Sequence, residues 1–288
     1  MRTQSIDTSP EAEQMLVELL RKAPAWKRFR LVQSLTQGAL WSHVSIWKDS
    51  HHNISEYEAA IEVVSSMYGT TLALCVQSAL AKCKDWHIQT TDLMTSTLPL
   101  VHLFEELDIP CYLGGSIASS LYGMQQLASD IDLIVDLDKH MLPLLSALSP
   151  LDYVFDENDL QRAFYEQTSF SVLHLNSLIK IDVIIPEQST FNTAMRTLVT
   201  PQVLDKRYPP FLVASAVEML LFKLRRYHQR HTSRKDGMND DAEWNDIQGM
   251  LRVRGPDLDF VFLESWARTF GMMETWQQAL MDAGLNDS

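Results

Sequence analysis

Three aspartates and a pair of glycines are the residues here whose types and spacing could do chemistry. Asp130 and Asp132 stand at i and i+2 in Ser129-Asp130-Ile131-Asp132-Leu133-Ile134-Val135, a run whose alternation predicts a β-strand. Side chains alternate faces along a strand, so both carboxylates point one way while Ile131, Leu133 and Val135 point into a core. Two like charges a few ångströms apart repel unless something positive lies between them. A divalent metal bound by oxygen ligands is the natural neutraliser. Asp182, in Lys180-Ile181-Asp182-Val183-Ile184-Ile185, is a third carboxylate, set inside an otherwise apolar strand. Burying it without a partner would be costly. Either its strand lies beside the first, giving a cluster able to hold two Mg²⁺ ions, or it is a strand-edge residue paired with Lys180 or an arginine. Upstream, Leu113-Gly114-Gly115-Ser116 reads as strand, turn and helix start. Backbone N–H groups at such a turn suit a phosphate, although a bare Gly-Gly also serves as a simple turn.

The elements that must position these residues follow from periodicity and caps. Ser9-Pro10-Glu11 starts a helix whose apolar residues are Met15, Leu16, Leu19 and Leu20. A second helix covers Lys27 to Trp47, with Phe29, Leu31, Val32 and Leu35 inward. The capping box Ser55-Glu56-Tyr57-Glu58 opens a third, ending at Gly69, and Thr70–Lys82 makes a fourth. No chemistry is legible in residues 9–84, and His51-His52 reads as a solvated pair rather than a metal site. Residues 98–107 form a helix, Ile109–Leu113 a strand and Leu142–Leu148 a helix. Phe170–Leu175 and Leu178–Ile185 form a hairpin about Asn176-Ser177. Ser215-Ala216-Val217-Glu218 caps a helix running to about Tyr227, and helices follow over about 240–251, 258–270 and 273–283. The organisation expected is a helical region at 9–90, a core at 97–210 and a C-terminal helical region at 211–285. Trp244 and Trp266 read as core aromatics. Cys75, Cys83 and Cys111 read as buried thiols suited to a reducing cytoplasm, and no apolar run is long enough to span a membrane. A net charge of −13 argues against general nucleic-acid binding.

The pattern Gly-Gly-Ser, then Asp-x-Asp in an apolar strand, then a single strand Asp resembles the nucleotidyltransferase superfamily with the DNA polymerase β-type fold. The matching pieces are Leu113 to Gly123, Ser129 to Leu133, Leu178-Ile179-Lys180-Ile181-Asp182 and Lys223-Leu224. More narrowly, residues from about 98 to 283 resemble small prokaryotic proteins of this superfamily grouped with abortive-infection toxins of type IV toxin–antitoxin systems. The tail, with Trp244-Asn245-Asp246-Ile247, Leu258-Asp259 and Trp266-Ala267, adds to that likeness. The resemblance implies an α/β (α+β) fold: a small mixed sheet flanked by helices, with a helical region before it and a helical bundle after it.

It also implies transfer of a nucleoside monophosphate from an NTP to an acceptor hydroxyl on tRNA, a protein or a small molecule such as an aminoglycoside. Asp130 and Asp132 would hold two Mg²⁺ (or Mn²⁺) ions. Asp182 would bind the catalytic ion and position the attacking hydroxyl. Gly114, Gly115 and Ser116 would hold phosphates, with Ser129 and Lys223 as further nucleotide contacts. A cytoplasmic toxin with a cognate antitoxin is one form of this reading; a module that binds NTP or a partner without transfer is the alternative. One departure permits that alternative. The loop Met124-Gln125-Gln126-Leu127-Ala128-Ser129 carries no positive charge where related sequences often place an arginine, here Gln126. Other cations lie in Lys223–Lys235: Lys223, Arg225, Arg226, Arg230, Arg234 and Lys235, with His228 and His231 and no acid among them. That run serves triphosphate or RNA binding, or else it is a helix C-terminus passing into a basic loop.

Overall fold

The protein was analysed as a computed structural model that describes residues 8–51, 54–83, 85–89, 92–137, 141–148, 152–233 and 241–285. Four helices come first: α1 (Pro10–Lys22), α2 (Ala25–Ser50), α3 (Glu56–Tyr68) and α4 (Thr70–Leu80). Then come α5 (Leu93–Glu106), β1 (Cys111–Leu113), α6 (Gly115–Tyr122), β2 (Ile131–Val135), α7 (Met141–Leu148), β3 (Tyr153–Phe155), α8 (Glu157–Glu166), β4 (Ser169–His174) and β5 (Ile179–Ile184). The chain ends with α9 (Thr190–Arg196), β6 (Thr200–Gln202), β7 (Phe211–Val213), α10 (Ala216–Ser233), α11 (Asp241–Arg254), α12 (Phe260–Thr269) and α13 (Met273–Ala283). The fold is mixed α/β with helical regions at both ends of the chain.

The caps read from sequence are built as expected at α1 and α3. Ser9 accepts from the Ala12 N–H with Pro10 in the first turn, and Ser55 and Glu58 complete a reciprocal capping box. The inward faces of the first two helices differ from expectation. On α1 the buried residues are Glu13, Val17 and Leu20, whereas Met15, Leu16 and Leu19 are exposed. Glu13 faces inward because Arg252 of α11 bonds its carboxylate, and Val17 and Leu20 follow it on the same stripe. On α2, Phe29 and Val32 are buried but Leu31 and Leu35 are not. Cys83 is exposed rather than buried, and Cys75 and Cys111 are half-buried; all three are free thiols. Among the described residues no helix is long and apolar enough to cross a membrane.

Two compact units divide the chain: Leu31–Ser116 with Leu127–Thr193, and Met1–Arg30 with Ile117–Gln126 and Ala194–Ser288. In the first, five strands lie in the order β3-β4-β5-β2-β1. β2 and β5 run parallel, and the pairs β1–β2, β4–β5 and β3–β4 are antiparallel. The β4–β5 hairpin expected from Asn176-Ser177 is present, with Ser171 opposite Asp182. β5 is therefore an interior strand, flanked on both sides. Ile131, Leu133, Val135, Ile181 and Val183 are buried on the core face, as the alternation requires. In the second unit β6 and β7 pair antiparallel, and α11 packs against α1, α10 and α13.

Candidate active site

The site is assembled by strand register. Asp132 on β2 lies directly opposite Asp182 on the parallel neighbour β5. Asp130, two residues earlier, shares the face of Asp132. Carboxylate oxygens of Asp130, Asp132 and Asp182 all lie within 4.8 Å of one another, and each residue is half-buried. Both readings of Asp182 therefore hold at once. It converges with the pair, and it is also bonded to Lys180, whose Nζ lies 2.8 Å from Asp182 Oδ2 and 3.0 Å from Asp130 Oδ2. Only the edge position is corrected, since β5 has a partner strand on each side. The other oxygen of Asp182 accepts from Ser171 Oγ on β4 at 2.6 Å. Burial on its own would lower the Lys180 pKa. The hydrogen bonds and charges of Asp182 and Asp130 outweigh it, and the ammonium is held above its ordinary value.

Gly115 fixes the approach of the turn to this cluster. Its φ is +61°, and a Cβ at this position would overlap the Asp132 carboxylate, so only glycine fits. The N–H of Gly114 donates to the Asp132 carbonyl at 2.9 Å, so one of the expected phosphate donors is engaged in the backbone. Gly115 and Ser116 open α6, where helix N–H groups lack intrahelical acceptors. Ser129 is exposed on the loop before Asp130, and that loop is propped by α2, whose Thr36 Oγ1 accepts from the Ala128 N–H at 3.3 Å.

A residue without any local signature of a role also belongs here. Tyr68, the last residue of α3, carries a ring whose centroid is 5.7 Å from Lys180 Nζ. Burial pushes its phenol well above the usual range. The charges of Asp130 and Asp182 act in the same direction, against a hydrogen bond from the Lys180 backbone. The hydroxyl therefore stays protonated. Beside it, a cavity of about 80 Å³ is lined by Thr36, Leu40 and His43 of α2, Met67 and Tyr68 of α3, and Asp130. The N-terminal helices thus supply both a side chain and a wall to the site. Ser171 was legible as a polar position in the alternation of β4; Tyr68 had no such signature.

Lys223 lies in the other unit. It is buried on α10 and its Nζ is 2.6 Å from Asp246 of α11. Burial raises the Asp246 pKa despite the opposing effect of that ammonium. The neighbouring cations are also matched, because Arg226 and Arg230 both reach Glu243 and Arg225 sits over the Phe270 ring at 4.5 Å. The acids missing from the basic run in sequence are supplied in space by α11. Arg234 and Lys235, like His52, lie outside the described residues. His51 stacks on Trp47. Trp244 packs at a tilt against Tyr227 and donates to Asp282, and Trp266 packs with Phe262 and Phe270.

No family model and no curated protein matches the chain. Among solved structures, the solution structure of the antibiotic-resistance factor ANT(2'')-Ia is similar at 14% identity with a TM-score of 0.40, covering 64% of this chain and 94% of that one. A likeness this remote carries no functional argument of its own.

Proposed function

We propose that the chain is a divalent-metal-dependent nucleotidyltransferase that moves a nucleoside monophosphate from an NTP to an acceptor hydroxyl. One observation supports this above the others: three carboxylates from adjoining strands meet within 4.8 Å, beside a glycine turn whose Gly115 lies directly against the Asp132 carboxylate. Mg²⁺ prefers hard oxygen donors, and three carboxylates converging on one point are donors of that kind. Asp130, Asp132 and Asp182 would hold it. A bound ion would supply charge stabilisation on the phosphoryl oxygens as negative charge shifts to the leaving group.

The remaining work falls to the chain's own groups. Asp182, whose Oδ1 accepts from Ser171, would align the acceptor hydroxyl and take its proton. As the acceptor oxygen bonds to the α-phosphorus, the bond to the bridging oxygen breaks and pyrophosphate departs. Gly115 and Ser116, at the turn beside Asp132, would lie against the β- and γ-phosphates. Such chemistry is mostly positioning and electrostatics, so few side chains suffice.

The test is incubation with each α-labelled NTP and Mg²⁺ against tRNA, protein and aminoglycoside pools. Label should transfer to one pool, and Asp132→Asn should lower the rate by roughly 100-fold or more. A second reading has a specific observation in its favour: Lys180 already bonds two of the acids, and Gln126 stands where related sequences often place a loop cation. In that case the module binds NTP without transfer, and binding that depends on Mg²⁺ with no labelled product is its signature. The narrower toxin reading predicts growth arrest on expression, abolished by Asp132→Asn and relieved by a cognate antitoxin.

A further inference from the structure

Lys180 occupies the place that a cation would have to take. Its Nζ touches Asp182 at 2.8 Å and Asp130 at 3.0 Å, its side chain is mostly buried, and the Tyr68 ring lies beneath it at 5.7 Å. Three carboxylates in one cluster repel one another, and one ammonium leaves the group with two excess negative charges. The lysine is thus sufficient to hold the cluster together but does not neutralise it. An ion bound to those same oxygens would face a like charge at close range, which low-dielectric surroundings make strongly unfavourable. Lysine is the cation suited to yield, being a compact charge on a flexible four-carbon stem with no planar fork to lock it.

We infer that Lys180 is an internal stand-in for the metal: its ammonium and a divalent ion compete for Asp130 and Asp182, and loading the ion displaces the lysine. This rests on reading the three aspartates as a metal site. The consequence is regulatory. The site stays folded without metal, loads it less tightly than its acids alone would allow, and on loading releases an ammonium beside the place where an anionic triphosphate would lie. The uncharged loop Met124–Ser129 provides no such cation.

The experiment is a Mn²⁺ titration of the full chain, followed by the paramagnetic signal of free Mn²⁺ and by calorimetry. Wild type is compared with Lys180→Met and Lys180→Arg, and Asp132→Asn serves as the control. Lys180→Met should bind Mn²⁺ about tenfold or more tightly than wild type, melt at lower temperature without metal, and recover stability when Mn²⁺ is added. Lys180→Arg should stay close to wild type. If Lys180→Met fails to fold, Lys180→Gln is read the same way. Unchanged or weaker Mn²⁺ binding in the folded neutral variants, with Asp132→Asn still reducing it, overturns the inference and leaves the metal site standing. Mn²⁺ binding that is absent in every variant, or indifferent to Asp132→Asn, removes the metal reading and the inference together.

Discussion

Gly115 is the residue with the least room for change. Its left-handed φ strains any other L-residue, and a methyl group would overlap the Asp132 carboxylate. Gly115→Ala should therefore displace Asp132, lowering Mn²⁺ affinity and cutting any transfer rate roughly 100-fold or more, as misplacement of about 1 Å can do. Gly114→Ala is the contrast. Its Cβ would meet the Cδ1 end of Ile134, a side-chain tip that can move, so the loss should be smaller. Metal titration and single-turnover rates of the two variants check the order. At this scale much of the site was legible. Strand alternation puts Asp130 and Asp132 on a common face, and an Asp182 set inside an apolar strand calls for a cation, Lys180 or an arginine, as its partner. Tyr68 was invisible, because a tyrosine closing an amphipathic helix has no local mark of where that helix will pack.

Among the elements, the β4–β5 hairpin carries Ser171, Lys180 and Asp182, so its integrity sets the geometry of the site. His174 stands at its end, bonded to Ser177 Oγ at 2.7 Å and edge-on to the Tyr153 ring. Burial holds its pKa below the ordinary value, with Asp152 opposing weakly. A histidine depressed in the fold takes up a proton more readily when unfolded. Its contribution is then present above the unfolded pKa of ~6.5 and is lost as pH falls through and below that value. Denaturant titrations at pH 7.5 and 5.5 should show a smaller acid-induced loss in His174→Gln than in wild type. The hairpin itself could be read because Asn176-Ser177 separates two alternating runs. The three-residue strands β3, β6 and β7 could not, since three residues carry no period, β6 contains Pro201, and none of them leads into a glycine turn as the equally short β1 does. The face of α2 was misjudged for a related reason: apolar residues occur all round its 26 residues, so sequence alone does not select the buried stripe.

At the scale of the molecule, the sheet and the N-terminal helices depend on one another. Val32, Leu40, Val63 and Val64 are buried, and α2 and α3 wall the cavity beside Asp130. A fragment beginning at residue 92 would keep all three aspartates yet lose Tyr68 and the Thr36 prop under the loop. Such a fragment should show no cooperative melting and bind Mn²⁺ no better than Asp132→Asn does in the full chain, which calorimetry and the same titration would check. The division of labour also sets an order of events during synthesis. About 110 residues separate Tyr68 from Asp182, so at ~5–20 residues per second a ribosome takes roughly 6–20 s to deliver the second after the first. For that interval the nascent helices display apolar flanks with no sheet to cover them, and the cover arrives only when the last acidic strand emerges.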